Sequence, residues 1–221
     1  MKIIVIGATG TIGKSVVAAL QARHEIIKVG SKSGDHQVDI KDSGSIRKLF
    51  EKTGRFDALV SCVGKVHFGD FAKLTENEVM IGLKDKLMGQ VNQVPIGRDY
   101  ANDNGSFTLT SGVLSHDPIR FGACASLVNG ALDCFVRAAA IELPRGLRIN
   151  VIGPGYWTSR PPRSATIFPV TKPCPAGGSP RPTSSRWRAA LQARSSTCCS
   201  RGSGRLTTFR GEDRGDGHRF R

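Results

Sequence analysis

Glycine recurs at every third position in Gly7-Ala8-Thr9-Gly10-Thr11-Ile12-Gly13. Glycine lets a backbone turn sharply and lets an anion approach main-chain N–H groups, and a helix starting there adds a favourable dipole. The chemistry this spacing suits is cradling the pyrophosphate of a dinucleotide, with Gly7, Thr9, Gly10, Thr11, Ile12 and Gly13 as the lining. An ordinary tight strand-to-helix turn is the plainer reading of the same residues. About 20 residues past such a loop, an acidic residue normally holds a free ribose 2′-hydroxyl. Here the chain has Gly30-Ser31-Lys32-Ser33 instead. A cation between two hydroxyls suits a 2′-phosphate, so Ser31, Lys32 and Ser33 favour NADP(H) over NAD(H); a solvated surface lysine is the alternative. Asp39, in Val38-Asp39-Ile40, is placed to meet the adenine edge.

The elements that must hold these residues alternate between strand and helix. Met1 to Ile6 is a short β-branched run ended by Gly7, which fits a buried parallel strand. Lys14 to Ala22 carries Val16, Val17, Ala19 and Leu20 on one helix face. Glu25 to Val29 reads as a strand, and Ser43 to Lys52 as a helix capped by Ser43 or Ser45, with Ile46, Leu49 and Phe50 inward. Ala58 to Cys62 is a further strand, followed by a helical stretch from Glu76 to Gly89 that continues toward Arg98. Ser106 to Thr110 is a strand, Ala125 to Leu143 a long apolar helix and Leu147 to Ile152 another strand. The fold class this implies is α/β: a Rossmann-type, doubly wound parallel sheet with helices on both faces. Ligands of such sheets bind beyond the carboxyl ends of the strands. Gly7, Cys62-Val63-Gly64, Ser111 and Gly153-Pro154-Gly155 all follow strands, so they are expected on one rim.

In this order the motifs resemble the short-chain dehydrogenase/reductase family, and in particular its short members. The resemblance covers residues 1 to about 155. It rests on Gly7-x-x-Gly10-x-x-Gly13, on Val38-Asp39-Ile40, and on Ala58-Leu59-Val60-Ser61-Cys62-Val63-Gly64, which stands where the family has Asn-Asn-Ala-Gly. It rests also on Thr108-Leu109-Thr110-Ser111, on Ala140-Ile141-Glu142-Leu143 and on Arg148-Ile149-Asn150-Val151-x-x-Pro154-Gly155. The resemblance implies cofactor contacts from Cys62, Val63, Gly64, Pro154 and Gly155. It also implies a site built on a serine, a tyrosine, a lysine four residues later and a helical asparagine. Ser111 matches the serine. The tyrosine position falls on Ala125, the lysine position on Asn129 and the asparagine position on Lys86. The two tyrosines, Tyr100 and Tyr156, have no lysine four residues on, so the family's usual proton donor is absent.

Three accounts fit that departure. In one, the protein is an oxidoreductase interconverting a small carbonyl and alcohol, with Lys86 supplying a cation near Ser111 and His116 or water relaying the proton. In another it binds NADP(H) without turnover, as a redox sensor or regulatory partner. In the third, the substrate supplies its own acid or base.

Composition divides the chain near Gly155. The net charge of +14 is unevenly placed: residues 1–155 hold 19 Lys+Arg against 15 Asp+Glu, and residues 156–221 hold 13 against 3. The sequence is thus read as a nucleotide-binding domain over 1–155 and a basic Arg/Ser/Pro-rich tail over 156–221, irregular or disordered. Such a tail suits nucleic acid, the lesser reading. The favoured one is a shifted reading frame, because Arg, Ser, Pro, Gly, Ala and Cys share GC-rich codons and lysine almost vanishes. Loss of the family's final helices and strand would then leave the chain poorly stable. No cysteine pair has zinc-site spacing, and no run of 18 apolar residues suggests a membrane span, so reduced thiols, a cytoplasmic location and no metal are expected. A small-molecule substrate is the expected partner, and the long helices offer a face for a second copy.

Overall fold

The computed structural model describes residues 1–155. The readings of the 156–221 tail as a shifted frame or a nucleic-acid arm lie outside the described residues. Six strands form one sheet in the order β3-β2-β1-β4-β5-β6, and every pairing is parallel. They are β1 (Lys2–Ile6), β2 (Glu25–Gly30), β3 (His36–Gln37), β4 (Phe56–Ser61), β5 (Ala101–Thr110) and β6 (Arg148–Ile152). The order reverses direction between β1 and β4, which makes the switch point of a doubly wound sheet.

β1 is buried on both faces, as a central parallel strand must be: Ile3 to Ile6 are all buried. Its alternation splits the core. Ile3 and Val5 pack with Ala8, Val17 and Ala58 beneath α1 (Thr11–Leu20). Ile4 and Ile6 belong to the larger cluster on the other face, beneath α2 (Ser43–Thr53) and α6 (Ala123–Glu142). There Phe50 stacks on Phe56 and Tyr100, and Phe56 meets Phe107 edge-on at 5.9 Å, the favoured aromatic geometries.

Several boundaries differ from expectation for local reasons. α1 begins at Thr11, directly on the glycine loop, and its inner face is Gly13, Val16, Val17 and Leu20; Ala19 faces solvent. α2 is capped by Asp42, whose Oδ1 accepts from Gly44 N at 2.8 Å, and not by Ser43 or Ser45. Ser45 Oγ accepts from Asp39 N instead, tying down the strand that enters the helix. β5 starts five residues early, at Ala101, because its register against β4 jumps from Phe56–Ala101 to Ala58–Ser106 and lets Asn102–Gly105 bulge out. Asn104 takes a positive φ of 60° there.

The stretch after Glu76 is not one regular helix. It runs through α3 (Glu76–Gly82), a π-helical turn at Leu83–Leu87, α4 (Met88–Val91) and α5 (Gln93–Gly97). α3 is opened by a full capping box between Thr75 and Glu78. α6 is long and apolar enough, by length and composition, to cross a membrane. It nonetheless packs as a core helix: Cys124, Ala125, Val128, Asn129, Leu132 and Val136 are its buried residues, and Val128, Leu132 and Val136 join the main cluster under the sheet.

Candidate active site and dinucleotide cradle

Parallel strands put all their carboxyl ends on one edge, and the predicted rim forms there. Gly7 N and Ala8 N both donate to Val29 O, at 2.7 and 3.1 Å, so the glycine loop is fastened to the end of β2. Gly7 has φ +84°, and a Cβ on it would stand 2.5 Å from Cys62 O and 2.7 Å from Val63 Cγ1. A side chain is excluded there on both counts. Gly13 packs directly on the Gly7–Ala8 backbone, which pulls the start of α1 onto the loop. Gly10 caps α1 with no side-chain hydrogen bond. The first-turn N–H groups of a helix have no intrahelical acceptor, so this start is shaped to receive an anion. The residues present therefore fit a dinucleotide pyrophosphate: a turn too tightly packed for any side chain at Gly7 or Gly13 leads into a helix start with unpaired N–H groups.

The β2 end lies against the same loop. Ser33 Oγ donates to Thr9 Oγ1 at 3.4 Å, and a Cβ at Gly30 would stand 3.3 Å from Thr9 Oγ1. Ser31, Lys32 and Ser33 are all exposed, with Lys32 carbonyl accepting from Gln37 Nε2. Asp39 is exposed as well, and its Oδ1 accepts from Lys41 N at 3.0 Å. At the end of β4, Cys62 N donates to Ile6 O, and burial pushes the Cys62 thiol up to about 11. Gly64 has φ +124° and lies so close to Lys86 that a Cβ would overlap its side-chain carbons.

Lys86 and Ser111 come together from two separate elements. Lys86 sits on the π-helical turn, a helix irregularity often found at functional positions. Its Nζ donates to Ser111 O at 2.9 Å and to Asn129 Oδ1 at 2.7 Å. Burial pushes the ammonium down to about 8, against the opposing pull of Asp133. Ser111 Oγ donates to Asn129 O at 3.2 Å, so its own proton is already engaged. An ammonium has three donors, and these two bonds leave Lys86 one for a ligand oxygen. The loop after β5 closes against β6: Ser111 N donates to Ile152 O and Val113 N to Pro154 O. Pro154 is partly buried there, whereas Gly155 is exposed.

His116 does not join this pair directly. Its side chain is 82% exposed and its Nε2 lies 3.6 Å from Asp133 Oδ2. Ala125 is buried and offers no proton. Three polar residues were not singled out in advance. Asp133 stands one helical turn past Asn129 on α6, and an i,i+4 polar pair in a mostly apolar helix was the available signal. Gln90 is fully buried; its Nε2 donates to Val63 O and Thr110 O, and its Oε1 accepts from Thr110 N. It thus pins the ends of β4 and β5 one turn beyond Lys86. Gln93, also fully buried, donates to Gly89 O.

Residues 8–169 match the family described as enoyl-(acyl carrier protein) reductase, a match reaching 14 residues past the expected limit at 155. The chain belongs to the short-chain dehydrogenase/reductase family. Members of this family bind NAD(P)(H). Among known proteins, the chain is 27% identical over 147 residues to an uncharacterized oxidoreductase of Methylorubrum extorquens, covering 64% of this chain and 59% of that protein. The chain therefore spans less than two thirds of that relative. The crystal structure of the protein lin1944 from Listeria innocua is 46% identical, with TM-score 0.69, over 70% of this chain and 78% of that one. A small-chain dehydrogenase solved in complex with NADPH is 27% identical, with TM-score 0.65, over 70% of both chains. Within this short-chain dehydrogenase frame, position 125 is a buried Ala and position 129 an Asn whose Oδ1 accepts from Lys86 Nζ beside Ser111.

Proposed function

We propose that this protein is an NADP(H)-dependent oxidoreductase that interconverts a small carbonyl and an alcohol without the family's tyrosine, with Lys86 supplying a cation beside Ser111. The observation that carries the reading is the Lys86 ammonium, bonded to Ser111 O and Asn129 Oδ1 at the rim where the cofactor loop also ends. When bound, the nicotinamide supplies or accepts the hydride. Gly7, Thr9, Gly10, Thr11, Ile12 and Gly13 would hold the pyrophosphate, and Ser31, Lys32 and Ser33 the 2′-phosphate. Asp39 would border the adenine, while Cys62, Val63, Gly64, Pro154 and Gly155 would line the rest of the cleft. Support for the 2′-phosphate comes from the exposed lysine between two serines, one of which touches Thr9, and from the NADPH bound by a similar dehydrogenase. A small-molecule carbonyl oxygen would take the free N–H of Lys86, and Ser111 would shape the other side of the pocket. His116, at the mouth, would exchange the proton with solvent directly or through water.

The test has two stages. NADPH should bind, and a carbonyl panel followed by NADPH absorbance should show turnover that falls at least about 100-fold in Lys86→Met. Turnover unchanged in Lys86→Met would end the catalytic assignment. Binding without turnover on any substrate would instead assign a non-catalytic NADP(H) sensor.

A further inference from the structure

The Lys86 ammonium is half-buried, and its two fixed hydrogen-bond partners, Ser111 O and Asn129 Oδ1, are both neutral. Neutral acceptors hold an ammonium in place but only partly offset the removal of its charge from water. A nearby carboxylate would offset the rest. Asn129 and Asp133 lie four residues apart on α6, hence on the same face and one turn apart. The Asp133 side chain is only 17% exposed, and His116 Nε2 lies 3.6 Å from it.

Other ionisable groups near this place are otherwise engaged. Asp85, on the same turn as Lys86, accepts from Lys65 N at 2.7 Å. Glu78 on α3 accepts from Thr75 and pairs with His67 at 3.4 Å. Cys62, at the end of β4, is a neutral thiol at physiological pH. The loop after β5 contributes His116 itself, which faces Asp133.

We propose that Asp133 is a positioning residue that keeps Lys86 in its ammonium form, one helical turn from Asn129, to which Lys86 is hydrogen-bonded. The inference deepens the reading of Lys86 as the hydrogen-bond donor to substrate and rests on it for its functional meaning. The electrostatics run the same way: burial lowers the Lys86 pKa while the Asp133 charge raises it. In its absence the amine would be uncharged over more of the neutral range and could only donate weakly.

The experiment reads Lys86 directly and needs no turnover. The intact chain is trace-labelled with acetic anhydride across a pH series, and acetylation of the Lys86 peptide is quantified by mass spectrometry. Only the free amine reacts, so the midpoint reports the Lys86 pKa. Asp133→Asn should move that midpoint down by about one unit, and Asp133→Glu should return it toward the wild-type position. A far-UV circular dichroism spectrum and a urea melt serve as the folding control, and labelling of the exposed Lys14 and Lys48 serves as the reagent control and should not move. A Lys86 midpoint unchanged in Asp133→Asn, with those controls intact, would overturn the proposal. So would a midpoint that Asp133→Glu leaves fully shifted. If the midpoint moves as expected but no carbonyl is ever turned over, the inference stands and the oxidoreductase reading alone fails.

Discussion

At the residue scale, the pH behaviour of Lys86 carries two predictions. Its ammonium persists only below about 8. Reduction of a carbonyl needs the charged form to donate, so the rate should be flat at neutral pH and fall as pH rises through about 8. A bell or a fall centred near 10 would place the proton elsewhere. Stability has the opposite slope. The folded-state pKa lies below the ordinary 10.5, so between about 8 and 10.5 the unfolded chain binds more protons than the native one. The buried charge therefore burdens the fold at neutral pH, and the burden is relieved as pH rises through that window. Cys62 works against this above about 9, since its raised thiol pKa makes the native state bind more protons up to about 11. Urea melts of Lys86→Met against wild type isolate the lysine: the stability difference between them should shift in favour of wild type from pH 7 to pH 9. A difference independent of pH would remove the buried-ammonium description. Gly7 has a simpler expectation. Gly7→Ala places a Cβ against Cys62 O at a positive φ, so NADPH binding should be lost in an equilibrium titration.

The element scale is where Gln90 belongs. One buried amide satisfies Val63 O, Thr110 O and Thr110 N. Gln90→Leu strands these polar groups in the core, at a cost of about 1–3 kcal/mol for each group left unpaired. Chemical denaturation should show a loss of about 2 kcal/mol or more, accompanied by weaker NADPH binding, because the turns carrying Val63 and Ser111 lose their common pin. Asp42→Ala, which removes the α2 cap but leaves its backbone bond to Asp39, should cost about 1 kcal/mol and weaken NADPH binding less than Gln90→Leu does. The contrast explains what the sequence made legible. β1, β2 and α1 could be read because apolar runs and glycine spacing are local signals, and they proved correct to within three residues at each end. The α2 cap could not be assigned between neighbours, since Asp42, Ser43 and Ser45 are all capping residues and only the backbone path selects one. The π-helical turn at Leu83–Leu87 has no local sequence signature; around it Gly82 packs close to Val66 and Val128, and Gly64 close to Lys86. Lys86 was legible through its position in a family pattern, whereas its bond to Asn129 depends on how two helices meet, which a one-dimensional pattern does not contain.

For the whole molecule, the sheet order explains why residues from the first and last thirds of the described chain share one edge. β1 and β4 flank the switch point, and β5 and β6 carry Ser111 and Pro154 to the same side. The sheet's two faces are covered unequally among the described residues. α1 packs over Ile3, Val5 and Ala58, while Arg148, Asn150 and Ile152 of β6 alternate onto the same side as partly or fully exposed positions. The charge distribution belongs to this scale too: the described part holds 19 Lys+Arg against 15 Asp+Glu, a modest excess that would favour the proposed anionic cofactor. A ligand that binds only the native state stabilises it by mass action, so NADPH at 100 times its Kd should add about 2.7 kcal/mol. The rim formed by Gly7–Gly13 and Ser31–Ser33 is the proposed NADP(H) site. Its most direct test is a fluorescence titration of the intact chain with NADPH and, separately, NADH. Both should bind saturably, with NADPH the tighter and the difference abolished in Lys32→Ala; equal affinities in the wild-type chain would rule out a 2′-phosphate site at Ser31–Ser33.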